Sequence, residues 1–174
     1  VSLKQAEAMG PFPRNLELLT SSLNMLASLT DVKDRYSESI RYRKRALDLQ
    51  EKYFGPNDGQ LCVALINLAK TYDAMGKRDE AERALERSVA IRAKADPRTL
   101  PSSLIPLGAH YEAAGKLTQA EATYQRLQAL YEQRGGPNNP ALQPVLERLA
   151  AISAQRGNAA QAKALAARAA KLSN

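Results

Sequence analysis

A pair of leucines three residues apart recurs four times along this chain of 174 residues, each time in the same surroundings. The segments read Leu23-Asn24-Met25-Leu26-Ala27, Leu65-Ile66-Asn67-Leu68-Ala69, Leu104-Ile105-Pro106-Leu107-Gly108 and Leu146-Glu147-Arg148-Leu149-Ala150. Their second leucines are 42, 39 and 42 residues apart. Eight residues after each comes a turn former, Asp34, Gly76, Gly115 or Gly157, and five further on a small side chain, Ser39, Ala81, Ala120 or Ala162. Gly10-Pro11, Gly55-Pro56, Asp96-Pro97 and Gly136-Pro137 punctuate the connections. A fixed period of this length points to stacked supersecondary units rather than one closed core.

Each unit reads as two helices. In 65–74 the apolar residues Leu65, Leu68, Ala69 and Tyr72 fall at i, i+3, i+4 and i+7, a single helical stripe. Gly76 ends that helix, and a second amphipathic run follows from Arg78 to Lys94 with Ala81, Ala84, Leu85, Ser88, Val89 and Arg92 on its periodic face. Small residues at Ala81 and Ser88 allow two antiparallel helices to approach closely. One hairpin cannot bury its stripe alone, but stacked neighbours can. Burying a leucine fully is worth about 1.5–3 kcal/mol, so the eight frame leucines are expected to dominate stability. Pro106 would cost a hydrogen bond deep in a helix. The third unit is therefore predicted to start its first helix late, near Ser102-Ser103, and to be shortened there.

Leu68-Ala69, Tyr72, Gly76 and Ala81, with Leu107-Gly108, Tyr111, Gly115 and Ala120, resemble the tetratricopeptide repeat family. The unit of about 42 residues, with Gly-Pro-Asn-Asp at 55–58 and Gly-Pro-Asn-Asn at 136–139, is similar to its kinesin-light-chain-like variant. The resemblance extends from about Leu16 to Leu172. It implies an all-α fold, a right-handed superhelix of four helix-turn-helix units whose first helices line a concave groove that takes peptide segments of other proteins. The expected division is 14–55, 56–96, 97–136 and 137–174, with 1–13 as the tail of a preceding second helix and a linker. At least one further repeat is expected upstream.

A helical wheel places the groove independently. Relative to the second leucine, positions −5, −2, +2, +5 and +6 point away from the buried stripe. They hold Ser21, Asn24, Ser28, Asp31 and Val32 in the first unit and Val63, Ile66, Lys70, Asp73 and Ala74 in the second. The third has Ser102, Ile105, Ala109, Glu112 and Ala113, and the fourth Pro144, Glu147, Ala151, Ala154 and Gln155. Asp31, Asp73 and Glu112 share one register, so a regular stack would align them as an acidic row that attracts a basic peptide. The other reading is a solvated polar position near a helix end, with Lys70 neutralising Asp73. In related peptide-binding repeats, an asparagine before the second leucine holds the ligand backbone. Asn67 stands there, to hold a ligand or to cap or bridge within the scaffold, whereas Met25, Pro106 and Arg148 replace it in the other units. The expected contact set is Asn24, Asp31, Ile66, Asn67, Lys70, Asp73 and Glu112.

The remaining chemistry is sparse. One cysteine and one histidine make neither a disulfide framework nor a thiolate or paired-histidine metal site. Cys62, near a helix start without a basic neighbour fixed by spacing, reads as structural. His110 reads as part of the scaffold or its surface. No phosphate-cradling loop or catalytic carboxylate pair is present, so no enzyme activity, cofactor or metal is expected. The net charge of +7 invites a nucleic-acid reading. However, segments 35–52, 77–94, 116–134 and 159–172 together carry +9 and leave −2 elsewhere, so the positive charge belongs to the second helices. Aromatic residues for base stacking are few. The densest cluster, Arg41, Arg43, Lys44 and Arg45, is a candidate outer contact for an acidic partner or simply a solvated face.

Eight alanines in 159–172 make the last helix a candidate for self-association. No apolar run reaches the length of a membrane span, and the expected location is cytoplasmic. The leading reading is a non-enzymatic adaptor that binds protein or peptide, a basic one by preference. A sensor module of a larger protein and a self-associating structural module stand beside it.

Overall fold

The structure is a computed structural model that describes residues 14–32 and 34–172. The segment expected to form the tail of a preceding helix, 1–13, lies outside the described residues. Those described form eight α-helices and one short 3-10 turn, with no strand among them. The helices are α1 (Arg14–Leu29), α2 (Tyr36–Phe54), α3 (Leu61–Ala74), α4 (Arg78–Ala95), α5 (Pro101–Ala113), α6 (Leu117–Gly135), α7 (Leu142–Gln155) and α8 (Ala159–Lys171). The 3-10 turn, Pro97–Thr99, precedes α5. Packing divides the chain into two units, Val1–Ser103 and Leu104–Asn174.

In the first unit α1 packs on α2, α2 on α3, and α3 on α4. The periodic leucines account for this. Leu23, Leu65 and Leu68 are buried, and Ala27 and Ala69 fill the places beside them where a larger side chain would push the helices apart. Ala81 and Ser88 are completely buried on α4, as their small size suggested. Ser88 Oγ shares a hydrogen bond of 2.7 Å with Ser103 Oγ, and the buried Cys62 thiol donates to the Ser88 carbonyl at 3.6 Å. Cys62 is thus a packing residue of the α3–α4 hairpin. Of the eight frame leucines, Leu26 departs from expectation: it is exposed on α1.

In the second unit α6 packs on α7 and α7 on α8. Leu104, Leu107, Leu146 and Leu149 are all buried. Leu142, Leu146 and Ala169 form a cluster against which Tyr131, Leu165 and Leu172 pack. Gly108 replaces the alanine of the other units for a steric reason. A Cβ there would lie 2.8 Å from Cζ of Tyr124, whose ring covers the α5 backbone. His110 is buried, which makes it a scaffold residue.

The third unit corrects one expectation. α5 begins at Pro101, so Pro106 sits in its second turn, and the helix has 13 residues against 14 in α3. Proline has no N–H to reach the carbonyl four residues back. The helix continues past it to Ala113 and is barely shortened.

Short polar devices join the hairpins. Asp58 Oδ1 accepts from Gln60 N–H at 2.8 Å and Asn139 Oδ1 from Ala141 N–H at 3.0 Å, so equivalent Gly-Pro-Asn-Asp/Asn segments form the same side-chain-stabilised turn before a first helix. Arg87 on α4 ion-pairs with Glu51 and donates to the Pro56 carbonyl at 2.8 Å. Arg168 on α8 repeats this with Glu132 at 2.7 Å and the Pro137 carbonyl at 3.2 Å. Each arginine ties a second helix to the end of the preceding one.

The frame turn needs a left-handed residue. Gly76, Gly115 and Gly157 adopt φ of 74°, 71° and 79°, and Asp34 takes the same conformation with φ 75°. A side chain in that region meets its own carbonyl and costs about 1–2 kcal/mol, less for aspartate. Asp34→Gly is therefore expected to raise unfolding free energy by about 0.5–1 kcal/mol, read as a higher urea midpoint at an unchanged m-value.

Candidate protein-interaction surface

The exposed side of the first helices can be built from their own periodicity. On α3, Leu61, Leu65, Leu68 and Tyr72 turn inward, which leaves Val63, Lys70 and Asp73 exposed and Ile66 and Asn67 half-buried. The Asn67 side chain makes no hydrogen bond to another described residue, so its amide donors and acceptor stay available. On α1, Asn24 is half-buried and its carbonyl accepts from Ser28 Oγ at 3.0 Å.

Asp31 has a different role from the one its register suggested. Its Oδ1 accepts from Ser39 Oγ at 2.6 Å and from Thr71 Oγ1 at 2.9 Å, and its Oδ2 accepts from the Arg43 guanidinium. Arg43 Nε also donates to Thr71 Oγ1 at 3.0 Å. This network joins the end of α1, the start of α2 and the end of α3. Arg43 is only 7% exposed. It therefore leaves the outer basic cluster, because a buried guanidinium requires a counter-ion and finds one in Asp31. Arg41, Lys44 and Arg45 remain exposed on α2. Arg41 lies 5.3 Å from the Tyr42 ring centroid and Lys44 Nζ lies 5.9 Å from that of Tyr72.

Glu112 is likewise engaged in its own unit. Tyr124 donates its hydroxyl proton to Glu112 Oε2 at 2.7 Å, and Arg148 Nη1 stands 3.9 Å from the same oxygen. Burial first, then the hydrogen bond to Glu112 and that carboxylate's charge, push the Tyr124 phenol well above its ordinary value. The carboxylates read as one row thus divide by role. Asp31 and Glu112 hold scaffold donors, and Asp73 is exposed beside Lys70 on α3.

The second unit contributes a feature that the wheel only half located. Ile105 and Ala109 of α5, Tyr124, Leu127 and Tyr131 of α6, Ala141 just before α7, and Pro144, Val145 and Arg148 of α7 line a cavity of about 310 Å³. Ile105, Ala109 and Pro144 occupy positions assigned to the groove from sequence. The two tyrosines escaped because they lie on a second helix, and nothing in their own spacing shows that they reach past α5. Arg148 stands at the register of Asn67, so its placement was legible, but its partner cavity was not.

Asp31 makes stability sensitive to acid. Burial pushes its pKa up, but the hydrogen bonds from Ser39, Arg43 and Thr71 and the charge of Arg43 outweigh this and hold it below the ordinary value of 3.8. A carboxyl depressed on folding contributes stability that is present above its unfolded pKa and lost as pH falls through the folded one. Asp31→Asn, which leaves Arg43 without its counter-ion, is expected to cost about 1–3 kcal/mol at pH 7. It should also flatten the decline below about pH 4. Urea denaturation of both proteins between pH 2.5 and 7 measures this.

Known proteins share this architecture. A tetratricopeptide repeat family matches residues 18–94. No curated protein sequence matches the chain. Among solved structures, BtubC (BKLC) from P. vanneervenii superposes with a TM-score of 0.76 at 20% identity, covering 95% of this chain and 67% of its own. The nearly identical TPR-like repeats of a Podosopora anserina kinesin light chain give 0.75 at 21% identity, covering 88% and 74%. MamA gives 0.65 at 15%, covering 88% and 78%. Repeats of this family generally mediate protein–protein interaction. Residues 18–94 thus match a tetratricopeptide repeat family, and the chain has the all-α helical-repeat fold of these solved structures.

Proposed function

We propose that this chain is a non-enzymatic adaptor that binds a peptide or protein segment along the exposed faces of its first helices. The helix pairs support a division into repeats at 14–55, 56–96, 97–136 and 137–174. The observation that carries the reading is the cavity of about 310 Å³ between α5, α6 and α7, a volume at the lower end for ligand sites and lined mainly by apolar side chains. An apolar side chain of the partner fills it, and Ile105 and Ala109 form its accessible wall.

In the first unit, Asn67 offers its amide to the partner's main chain, with Asn24 and Ile66 beside it on the exposed faces. Asp73 supplies an acidic contact for a basic side chain, and Lys70 limits how strongly that contact selects for charge. Asp31 and Glu112 act as positioning residues, fixing Thr71 and Tyr124 rather than meeting the ligand first.

A random-peptide display library selected on the chain tests this reading. Selected peptides are expected to bind Ala109→Trp, which fills the cavity from an exposed position, at least about tenfold more weakly, a loss of 1.4 kcal/mol or more. Asn67→Ala should weaken them by a smaller factor, with melting unchanged in both variants. Selected peptides that bind both variants as tightly as the parent chain overturn the proposal.

A further inference from the structure

A second cavity, of about 230 Å³, lies at the C-terminal end of α7, away from the apolar one at its start. Glu121 of α6, Ser153 of α7, Arg156 and Asn158 of the turn that follows, and Gln161 of α8 line it, and every one is polar or charged. The repeat frame explains the room. Four residues after the second frame leucine stand Tyr72 and Tyr111, 7% and 6% exposed, whereas α7 has Ser153 there. The Tyr72 ring centroid lies 5.9 Å from Lys44 Nζ, so this tyrosine reaches the preceding second helix. On α6 the register of Lys44 is held by Gln125, whose amide donates at 3.5 Å to Glu121 Oε1 beside the cavity. Serine therefore leaves open a place that a tyrosine ring fills in the first unit. That place is filled from within at Tyr72, with further helices following, so the room at Ser153 is a property of the repeat and not of a chain end.

Ser153 carries an independent mark. It is 2% exposed, and its Oγ makes no hydrogen bond to any described residue. A buried hydroxyl in that state is destabilising until something meets it. The other lining groups are joined in a way that leaves donors over. Arg156 Nη1 ion-pairs with Glu121 Oε2. Asn158 Oδ1 accepts from Gln161 N–H at 3.3 Å, and Asn158 Nδ2 donates to Gln161 Oε1 at 2.8 Å. Both Glu121 oxygens and both amide oxygens are thus engaged. What remains among the described residues is the other edge of the Arg156 guanidinium, the Gln161 amide nitrogen and the Ser153 hydroxyl, each able to donate, beside the positive end of α8. One base and one acid leave the lining without net charge. That favours a singly charged group with two acceptor oxygens over a doubly charged phosphate.

We propose that this polar cavity binds a carboxylate, that of a small organic acid or of a partner's acidic side chain, with Arg156 and Gln161 donating to it and Ser153 at its floor. This goes beyond the adaptor reading and uses neither the apolar cavity nor Asn67.

Amide NMR spectra of the chain, titrated at constant ionic strength with sodium acetate, with N-acetyl-aspartic acid amide and with sodium phosphate, test it at Ala159, Ala160 and Gln161. Acetate or the blocked aspartate is expected to shift these amides saturably with half-saturation at about 1–10 mM, and the tighter of the two tells a free acid from a partner's side chain. Phosphate should bind more weakly than either. Ser153→Tyr, which restores the residue that the repeat buries at 72 and 111, and Arg156→Gln should each weaken the response at least about fivefold. The arginine side chain is 43% exposed, so Arg156→Gln keeps the test independent of how the tyrosine is accommodated. Helicity and melting are expected to stay at parent values in Arg156→Gln. Absence of a saturable shift with either acid up to about 100 mM overturns the proposal, as does tighter binding of phosphate or a response that neither substitution weakens.

Discussion

A two-helix hairpin has more apolar surface than its own two helices can cover, and the whole molecule follows from that shortage. Each first helix here is apolar on the side facing its own second helix and again on the side facing the preceding one. Leu65 and Leu68 are both buried on α3 because α4 and α2 approach it from two directions. Stability therefore lies in the seams between hairpins as much as within them. Shape at the seam is set by small residues. Ala81, Ser88 and Ala120 are fully buried, and Gly108 yields its side chain altogether to the Tyr124 ring.

The buried charge where α1, α2 and α3 meet is compensated. The Arg43 guanidinium is buried, and Asp31 is placed to receive it, with Ser39 and Thr71 filling the other carboxylate oxygen. Breaking a buried pair leaves a charge uncompensated, so this network fixes how α1, α2 and α3 meet more firmly than its net energy suggests. Near solvent, the Arg87–Glu51 and Arg168–Glu132 pairs carry less energy individually. Their second bonds to the carbonyls of Pro56 and Pro137 give them a geometric role in setting the angle of the connection.

The same network separates what carries the scaffold from what is left for a partner. Once Asp31 and Glu112 are committed to internal donors, the available polar groups on the first-helix faces are those without a structural task, Asn67 foremost. The cavity beside Ile105 and Ala109 is lined on its other sides by Tyr124 and Tyr131 of α6 and by Val145 and Arg148 of α7.

The sequence by itself determined the all-α class, the period, the turn positions and nearly all of the buried leucines, because each depends on residues within a few turns of one another. Gly76, Gly115 and Gly157, and the small residues five positions later, announce their roles through local geometry. It also placed Ile105, Ala109 and Pro144 on the exposed face of their helices. Only tertiary structure decided that Arg43 is interior, that Asp31 is spent on Arg43 and Thr71, that Leu26 lies open, and that Tyr131 closes a cavity with Arg148. Those outcomes turn on which helix approaches from the next hairpin and how closely. A helical period defines the face on which a residue lies, but the neighbour across the seam decides whether its charge is paired and whether its side chain meets protein or water.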